Sequence, residues 1–251
     1  MRDLRLDDDA VGAWLHLPGS ASAELIGSVG FDFACVDLQH GVVDDDSVLP
    51  MLQALAATDT PTLVRVQSNT PESICRALDR GADGVIVPLV NSADEATAAV
   101  LACHYPPRGI RSYGPVRAPW HPPRAEPVCV VMVETPDAVA ALPDMLKVEG
   151  VGGVLIGPSD LALSHGMPVE AQHGDEAYEA LVRSIVEPCR AAGTPVGIFT
   201  ATPDHAQRFR AIGVTFVAGP SDAIILHRAA TEHLGRCRPP SSSSSSSSVR
   251  P

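Results

Sequence analysis

The chain predicts an α/β fold of the (β/α)8 TIM barrel class, in which eight parallel strands close into a cylinder, and three observations lead to it. Short runs rich in Val, Ile and Leu alternate eight times with longer segments of helical character. Several runs are apolar at nearly every position, as in residues 128–133, which is typical of parallel strands covered on both faces. The length of 251 residues also matches such a barrel, which typically has about 250 residues.

Each strand is predicted where an apolar run lies between Gly, Pro, Ser or Asp residues. In chain order, the strands are predicted at residues 11–17, 31–38, 60–66, 84–90, 127–134, 152–157, 195–200 and 216–219. The segments between them are rich in Ala, Leu, Glu and Arg and predict helices at residues 21–29, 46–57, 71–80, 92–103, 136–147, 175–192, 203–212 and 221–234. Three helix starts pair a capping threonine with proline at the first helical position, at residues 70–71, 135–136 and 202–203.

A doubly wound open sheet is the alternative fold. Such a sheet would carry the glycine-rich dinucleotide motif G-x-G-x-x-G after its first strand, and Leu17-Pro18-Gly19-Ser20 stands there instead. One barrel domain is therefore predicted over residues 1–236. Residues 237–251 are Pro/Ser-rich, include eight consecutive serines and predict a disordered tail, because they cannot bury apolar area.

Composition excludes several classes of partner. Lys and Arg total 18 against 30 Asp and Glu, so the formal net charge of -12 disfavours nucleic acid and anionic membrane surfaces. No apolar run approaches the roughly 20 residues of a membrane span, and the acidic N-terminus does not match a signal peptide. Six scattered cysteines without a C-x-x-C pair predict reduced thiols. We therefore expect a cytoplasmic protein.

In a barrel of this class the active site lies where the strands end, so polar residues there are the first candidates. Glu134 closes the fifth predicted strand and Asp160 follows the sixth. Because neighbouring strands lie about 4.8 Å apart, the two carboxylates can converge on a hard cation and leave positions open for water and a chelating substrate. The alternatives are a helix N-cap for Asp160 and a salt bridge for Glu134.

Three further features belong to the same end of the predicted barrel. The segment from Gly157 through Ser159 to Asp160 offers backbone N–H groups to a substrate carboxylate, although a simple turn looks the same. Arg65 can polarise a carbonyl or form a structural ion pair. His40 can act as a general base with Asp37 or Asp79 orienting it, although a histidine in a loop is more often structural.

Several motifs in one order resemble the HpcH/HpaI aldolase family, the metal-dependent pyruvate aldolases that include 2,4-dihydroxyhept-2-ene-1,7-dioate aldolase and macrophomate synthase. The resemblance runs from about residue 12 to about residue 234. The motifs that carry it are Gly12-Ala13-Trp14-Leu15, Gly30-Phe31-Asp32-Phe33, Val36-Asp37-Leu38-Gln39-His40, Val64-Arg65-Val66, Val87-Pro88-Leu89-Val90, Asn91-Ser92-Ala93-Asp94-Glu95-Ala96, Tyr105-Pro106-Pro107-Arg108-Gly109-Ile110-Arg111, Val133-Glu134-Thr135 and Ile156-Gly157-Pro158-Ser159-Asp160-Leu161.

The resemblance implies a role for each candidate. Glu134 and Asp160 match the metal ligands, for Mg²⁺, Mn²⁺ or Co²⁺, and Arg65 matches the arginine on the ketone oxygen of pyruvate. The remaining matches are His40 as the base, Asp79 as its associated carboxylate, Asp37 as another active-site acid, Ser159 and Asp160 as backbone ligands of the pyruvate carboxylate, and Trp14 near the pocket floor. It also implies a homo-oligomer, a hexamer built from dimers that exchange their terminal helices.

The chain departs from the family pattern at three places. Gln39 replaces a glutamate, and Ser159 stands where many members have alanine. The stretch from Arg111 to Glu134 is about ten residues shorter, and residues 119–123 are expected to form a different, stiffer lid. The departures affect the predicted acceptor specificity and subunit contacts, whereas the pyruvate half of the site matches.

The predicted reaction cleaves, or forms, a 4-hydroxy-2-oxo acid, with pyruvate and an aldehyde as products. An enolate needs either a Schiff base on lysine or a Lewis-acid metal. The only lysine, Lys147, lies just before the sixth strand and so at the opposite end of the barrel, which favours the metal-stabilised enolate. Two alternatives stay open: an oxaloacetate decarboxylase or macrophomate-synthase-like carboligase using the same enolate, and a non-catalytic barrel that binds an acid.

Overall fold

The structure, a computed structural model, is a closed barrel of eight parallel strands in the order β1 to β8, and it confirms the predicted fold class. It describes residues 3–7, 9–114, 116–117, 119–122 and 126–238. The strands are β1 Ala10–Leu15, β2 Phe33–Asp37, β3 Thr62–Arg65, β4 Gly84–Val87, β5 Val128–Val133, β6 Val151–Ile156, β7 Val196–Phe199 and β8 Phe216–Ser221. The cylinder is closed by β1, which pairs with both β2 and β8.

The helices that follow the strands surround this cylinder. They are α1 Ser20–Val29, α2 Asp45–Ala57, α3 Pro71–Asp79, α4 Ala93–Cys103, α5 Pro136–Met145, α6 Pro158–Ser164, α7 Glu176–Ala192, α8 Pro203–Ile212 and α9 Asp222–Cys237, with a 3-10 helix at Val169–His173. The three predicted threonine caps are confirmed, since the hydroxyl groups of Thr70, Thr135 and Thr202 accept backbone N–H groups of the first helical turn.

Most element boundaries differ from the sequence prediction by one to three residues, and three differences concern the site or the chain end. Strand β1 ends at Leu15, two residues earlier than predicted. Helix α6 agrees with the helix N-terminus expected at residues 157–160, but it has no predicted range, because its seven residues are too few to show a helical period. Helix α9 extends through Cys237, the first residue of the predicted tail. The rest of that predicted tail, residues 239–251, lies outside the described residues.

Alternating strand residues fill two apolar layers. Inside the cylinder, aromatic and branched side chains form one cluster, in which Phe33 and Phe216 meet edge to face at 6.0 Å. Gly12 and Gly197 leave the space for these rings, because a Cβ atom at either position would lie 2.2 Å or less from ring carbons. The opposite strand faces and the inner helix faces form the second, larger cluster. The barrel interior is thus packed rather than open.

The topology assigns each loop to one of two faces. Loops that follow strands lie at the carboxyl-terminal face, and loops that precede strands lie at the amino-terminal face. Among the described helices, none is both long and apolar enough to cross a membrane. All six cysteines are free thiols; the buried ones are Cys35, Cys103, Cys129 and Cys189.

Candidate active site

A cavity of about 180 Å³ opens at the carboxyl-terminal face and gathers most of the predicted site residues. It is lined by Trp14, His16, His40, Arg65, Met132, Glu134, Leu155, Gly157, Pro158, Ser159, Asp160 and Phe199. Seven of these were predicted from the sequence, and they come from the ends of β1, β2, β3, β5 and β6. The carboxyl ends of these strands thus bring distant residues around one small cavity.

Glu134 follows β5 directly, and only one of its two carboxylate oxygens has a hydrogen-bond partner among the described residues. Its Oε1 atom accepts the backbone N–H of Leu89 at 2.8 Å. Its Oε2 atom is buried and has no hydrogen-bond partner among the described residues. Burial is the main reason that the pKa of Glu134 is raised, and the negative charge of Asp160 raises it further. An uncompensated buried carboxylate oxygen is a cost unless a cation meets it.

Gly157 and Leu89 shape the surroundings of this carboxylate. A Cβ atom at Gly157 would lie 2.4 Å from Oε2 of Glu134, so only glycine leaves the carboxylate in its place. Leu89 adopts a left-handed backbone conformation with φ of 54°, which is uncommon for a residue with a side chain, and its N–H group points at Glu134. Both features place local backbone constraints next to the same carboxylate.

Asp160 lies in the first turn of α6 with an exposed side chain that lines the cavity. It is not a helix cap, because the N-cap is Gly157 and no side chain caps this helix. The alternative interpretation of Glu134 as a salt-bridge partner also fails within the described residues, since Oε2 has no partner. These residues contain no cluster of three or more His, Cys, Asp or Glu side chains suited to a metal. A cation here would have two carboxylates and open positions.

Asp37, at the end of β2, is fully buried and organises one wall of the cavity. Its Oδ1 and Oδ2 atoms accept Nε and Nη2 of Arg65 at 2.8 and 2.5 Å. Its Oδ2 atom also accepts Nε1 of Trp14 at 3.1 Å and lies 2.9 Å from Nε2 of His16. Burial alone would raise the pKa of Asp37, but the hydrogen bonds from His16, Arg65 and Trp14 outweigh it and hold the pKa well below its usual range.

The sequence offers two interpretations of Arg65, a structural ion pair and a group that polarises a carbonyl. Its position fits both, because Arg65 forms an ion pair with Asp37 and also lines the cavity. Its Cζ atom lies 5.1 Å from the centre of the Trp14 ring, which is within the range of a cation–π contact. Trp14 in turn meets Phe199 edge to face at 5.6 Å. Trp14 thus lines the cavity and also contacts the arginine.

His40 lines the cavity with an exposed side chain, but neither predicted carboxylate orients its ring. Asp37 accepts the backbone N–H of His40 at 3.3 Å, while the imidazole on Asp37 belongs to His16. Asp79 is not near His40 within one chain. It ends α3, at the amino-terminal face, and pairs with Nη2 of Arg111 at 2.6 Å. The reason is topological, since a helix after a strand carries its last residue away from the strand's end.

The described residues of the expected lid, 119–122, lie at the opposite face of the barrel from the site cavity. The loop between α4 and β5 precedes a strand, so it lies at the amino-terminal face. There His121 and Pro122 line a separate cavity of about 330 Å³ with Asp79 and Arg111. None of the described residues from 119 to 122 lines the site cavity, and Pro123 lies outside the described residues.

Lys147 is located as predicted, away from the cavity. It follows α5, and its ammonium group pairs with Asp144 at 2.7 Å in an exposed position.

Sequence reasoning missed four residues of the cavity: His16, Met132, Leu155 and Phe199. Met132, Leu155 and Phe199 are apolar strand residues without any distinguishing signal. His16 did have one, because it is the first residue after β1. The strand predicted over residues 11–17 placed it inside the sheet and hid it.

Comparison with known proteins agrees with this geometry. The HpcH/HpaI aldolase/citrate lyase profile matches residues 10–229. This chain belongs to that family. It is similar to the 4-hydroxy-2-oxo-heptane-1,7-dioate aldolase of Shigella sonnei, with 40% identity over 88% of this chain and 87% of that protein. It is also similar to the hydroxypyruvate/pyruvate aldolase of Rhizorhabdus wittichii, with 36% identity over 91% of this chain and 94% of that one.

A solved structure from the same family has the same fold. The HpcH/HpaI aldolase/citrate lyase family protein from Burkholderia cenocepacia superposes with a TM-score of 0.85 at 29% sequence identity. The match covers 93% of this chain and 96% of that one. The resemblance inferred from the motifs is thereby confirmed over nearly the full barrel.

Proposed function

We propose that this HpcH/HpaI family member is a pyruvate aldolase, a carbon–carbon lyase that cleaves a 4-hydroxy-2-oxo acid to pyruvate and an aldehyde. It would also catalyse the reverse addition. The observation that carries the proposal is the free, buried Oε2 atom of Glu134, in a cavity shared with Asp160 and Arg65. The names of the two relatives described above support the same reaction class.

The donor set fits a hard divalent cation such as Mg²⁺, Mn²⁺ or Co²⁺, which makes the proposed enzyme a class II aldolase. Glu134 and Asp160 would hold the ion through carboxylate oxygens, the ligands that such ions prefer. When bound, the ion would act as a Lewis acid that polarises the 2-oxo group of the substrate. Its positive charge would also offset the electrostatic cost of burying Glu134 beside Asp160.

The chain's own residues would perform the rest of the chemistry. The backbone N–H groups of Ser159 and Asp160 would bind the substrate carboxylate, and Arg65 would donate to the oxygen on which negative charge develops. Asp37 holds Arg65 through two hydrogen bonds and so prepares its direction before substrate arrives. His40, exposed at the cavity, would remove the proton of the 4-hydroxyl group as the C3–C4 bond breaks.

A substrate panel tests this function. We expect the purified protein with added Mg²⁺, Mn²⁺ or Co²⁺ to release pyruvate from 4-hydroxy-2-oxo acids, measured by a coupled lactate dehydrogenase assay. Oxaloacetate is included to detect the alternative decarboxylation of the same enolate. Calorimetric binding of pyruvate without turnover on any member of the panel would contradict the proposal and favour a non-catalytic acid-binding barrel.

We further propose that the protein works in the cytoplasm as a homo-oligomer. The burial of four cysteines as free thiols agrees with a reducing compartment. Helix α9 buries little of its surface on its own barrel and exposes Leu226 and Leu234, which supports assembly with a further copy. Light scattering after size exclusion would show a mass two to six times that of one chain. A monomer at assay concentration would contradict this.

The close contact at Gly157 predicts a selective loss of metal affinity. In Gly157→Ala the new Cβ atom would displace the carboxylate of Glu134, because it would lie 2.4 Å from Oε2. We expect the affinity for Mn²⁺ to fall about 10- to 100-fold, the range seen when the supports of a metal ligand are disturbed. Isothermal titration calorimetry measures this directly.

The matched control is Gly153→Ala in β6, the strand that Gly157 follows, where a Cβ atom would meet its nearest neighbour at an ordinary 3.5 Å. Its affinity for Mn²⁺ is expected to equal that of the wild type. Equal affinities in both variants would show that Glu134 does not hold the ion.

A further inference from the structure

His16 forms, with Asp37, a second histidine site in the cavity that the reaction described so far does not use. Its Nε2 atom lies 2.9 Å from Oδ2 of Asp37, and its side chain is 29% exposed and lines the cavity. Its backbone N–H donates to Oδ1 of the buried Asp222 at 2.9 Å, so the residue is anchored at two points. No described residue forms a hydrogen bond with the other ring nitrogen, Nδ1.

The carboxylate of Asp37 defines how the imidazole is held. Asp37 is fully buried and its pKa is well below the usual range, so it is an anion that accepts the Nε2 proton of His16. An imidazole that donates one nitrogen to a carboxylate has the other nitrogen available for proton transfer, and the carboxylate stabilises its protonated form. The Nδ1 atom of His16 is therefore the atom with acid–base capacity.

The position of His16 relative to Arg65 indicates which carbon it would serve. Both residues contact the same oxygen of Asp37, so the imidazole and the guanidinium are neighbours. The carboxylate-binding N–H groups and Glu134 lie across the cavity, at the ends of β5 and β6. A 2-oxo acid anchored there, with its ketone oxygen at Arg65, would direct C3 toward the ends of β1 and β2, where His16 stands.

The proposed reaction contains two proton transfers, and the cavity contains two histidines. Cleavage removes the 4-hydroxyl proton and leaves an enolate, which becomes pyruvate only when C3 receives a proton. His40 is exposed and lines the cavity. His16 is less exposed and held beside Arg65. With one acid–base group at each position, neither histidine would have to serve both proton transfers.

We propose that His16, held by Asp37, is the catalytic acid that protonates C3 of the enolate; this rests on the proposed aldolase function. The C3–C4 bond breaks as the hydroxyl proton passes to His40 and the aldehyde carbonyl forms. The enolate electrons then form a C3–H bond with the proton on Nδ1 of His16, and the 2-oxo group is restored. Solvent returns a proton to His16 and removes the one on His40. In the reverse direction neutral His16 removes a methyl proton from pyruvate.

Exchange of the pyruvate methyl protons with D2O isolates this step, because it needs no aldehyde. We expect wild-type protein with Mg²⁺ to exchange them, followed by the loss of the methyl signal in ¹H NMR. In His16→Gln the exchange rate is expected to fall about 100-fold, within the range of general acid–base effects. Glutamine keeps an amide N–H near the position of Nε2, so it can still hold Asp37 but cannot transfer a proton.

Three comparisons make the result specific. His40→Gln is expected to lose cleavage of the 4-hydroxy-2-oxo acid and to lose much less of the methyl exchange. His173→Asn, at an exposed histidine that stacks on His205 and does not line the cavity, is expected to behave as wild type. The Kd of pyruvate, measured by calorimetry, is expected to be similar in His16→Gln and wild type.

Methyl exchange in His16→Gln within threefold of the wild-type rate would overturn the assignment of His16. A Kd of pyruvate that rises in His16→Gln by the same factor as the exchange rate falls would also overturn the assignment, because the imidazole would then only bind substrate. A wild type that releases pyruvate without exchanging its methyl protons would also overturn it, and would leave the aldolase function intact. A wild type that neither exchanges nor cleaves would instead refute the proposed function.

Discussion

Glu134→Gln is expected to lower kcat for pyruvate release about 1000-fold or more. The substitution keeps the shape of the side chain and removes the charge that would hold the cation, and the Lewis-acid contribution of such an ion is several kcal/mol. At about 1.4 kcal/mol per tenfold change in rate, this corresponds to three orders of magnitude. Steady-state assays with saturating Mg²⁺ measure the effect.

The activity of Glu134→Gln is expected to fall, whereas the thermal stability of its metal-free form is expected to stay the same or rise. Burial raises the pKa of Glu134, so its ionised form destabilises the metal-free fold at neutral pH. A raised folded-state pKa means that stability falls as pH rises through it, and glutamine removes this loss. Metal-free Glu134→Gln should therefore unfold at an equal or higher temperature than metal-free wild type, while Mn²⁺ should no longer raise its Tm.

Glu95→Gln is the control for this pair of measurements. Glu95 accepts the N–H of Asn91 in an exposed position at the start of α4, so both its activity and its Mn²⁺-dependent Tm shift should stay at wild-type values. A Glu134→Gln protein that retains activity and the Mn²⁺ effect would contradict the assigned role of Glu134.

Asp37→Asn is expected to destabilise the protein by about 3–5 kcal/mol and to lower kcat at least about 100-fold. The substitution leaves the buried guanidinium of Arg65 without its anion, and breaking one partner of a buried pair costs about that free energy. It also releases the donors of Trp14 and His16 from their acceptor. A misplaced Arg65 would no longer meet the developing charge, and small displacements can cost about 100-fold in rate.

Urea unfolding between pH 5 and 8 tests the stability change. Because the folded-state pKa of Asp37 is depressed, its contribution is fully present above the unfolded-state pKa and is lost only as pH falls below about 4. The titration of Asp37 itself should therefore cause no loss of the stability difference between wild type and Asp37→Asn across that range.

Asp32 precedes β2, and its carboxylate accepts a single backbone N–H, that of Val11. Asp32→Asn should therefore cost less than about 1.5 kcal/mol. The double variant of Asp37→Asn with Arg65→Gln should lose less stability than the sum of its single changes, because both disturb one pair. Full additivity would show that the pair is not an energetic unit.

The predicted site residues that the structure brings together share one property: they lie at or just past the ends of parallel strands. Trp14, Arg65, Glu134 and Asp160 meet because the barrel topology brings all such ends to one face. Their identification therefore needed only the strand order. The precise partner of each group, such as the N–H of Leu89 on Glu134, depends on a backbone conformation that strand order does not determine.

The expectations that the fold of one chain does not reproduce have equally specific causes. The family resemblance pairs Asp79 with His40, but within one chain Asp79 ends α3 at the amino-terminal face, away from the loop after β2. The lid assigned to residues 119–123 ignored that the loop precedes a strand. His16 was hidden by a strand end placed two residues too late, and it changes the interpretation of Asp37 from a partner of His40 to a partner of His16.

The most direct test of the proposed mechanism is pyruvate release from a 4-hydroxy-2-oxo acid before and after metal removal. The protein is treated with a chelator, separated from it and assayed, and Mg²⁺, Mn²⁺ or Co²⁺ is then added back. We expect a loss of activity of at least 100-fold on metal removal and its recovery when the metal is added back. Unchanged turnover in the metal-free protein, or trapping of pyruvate on Lys147 by borohydride, would contradict the proposed mechanism.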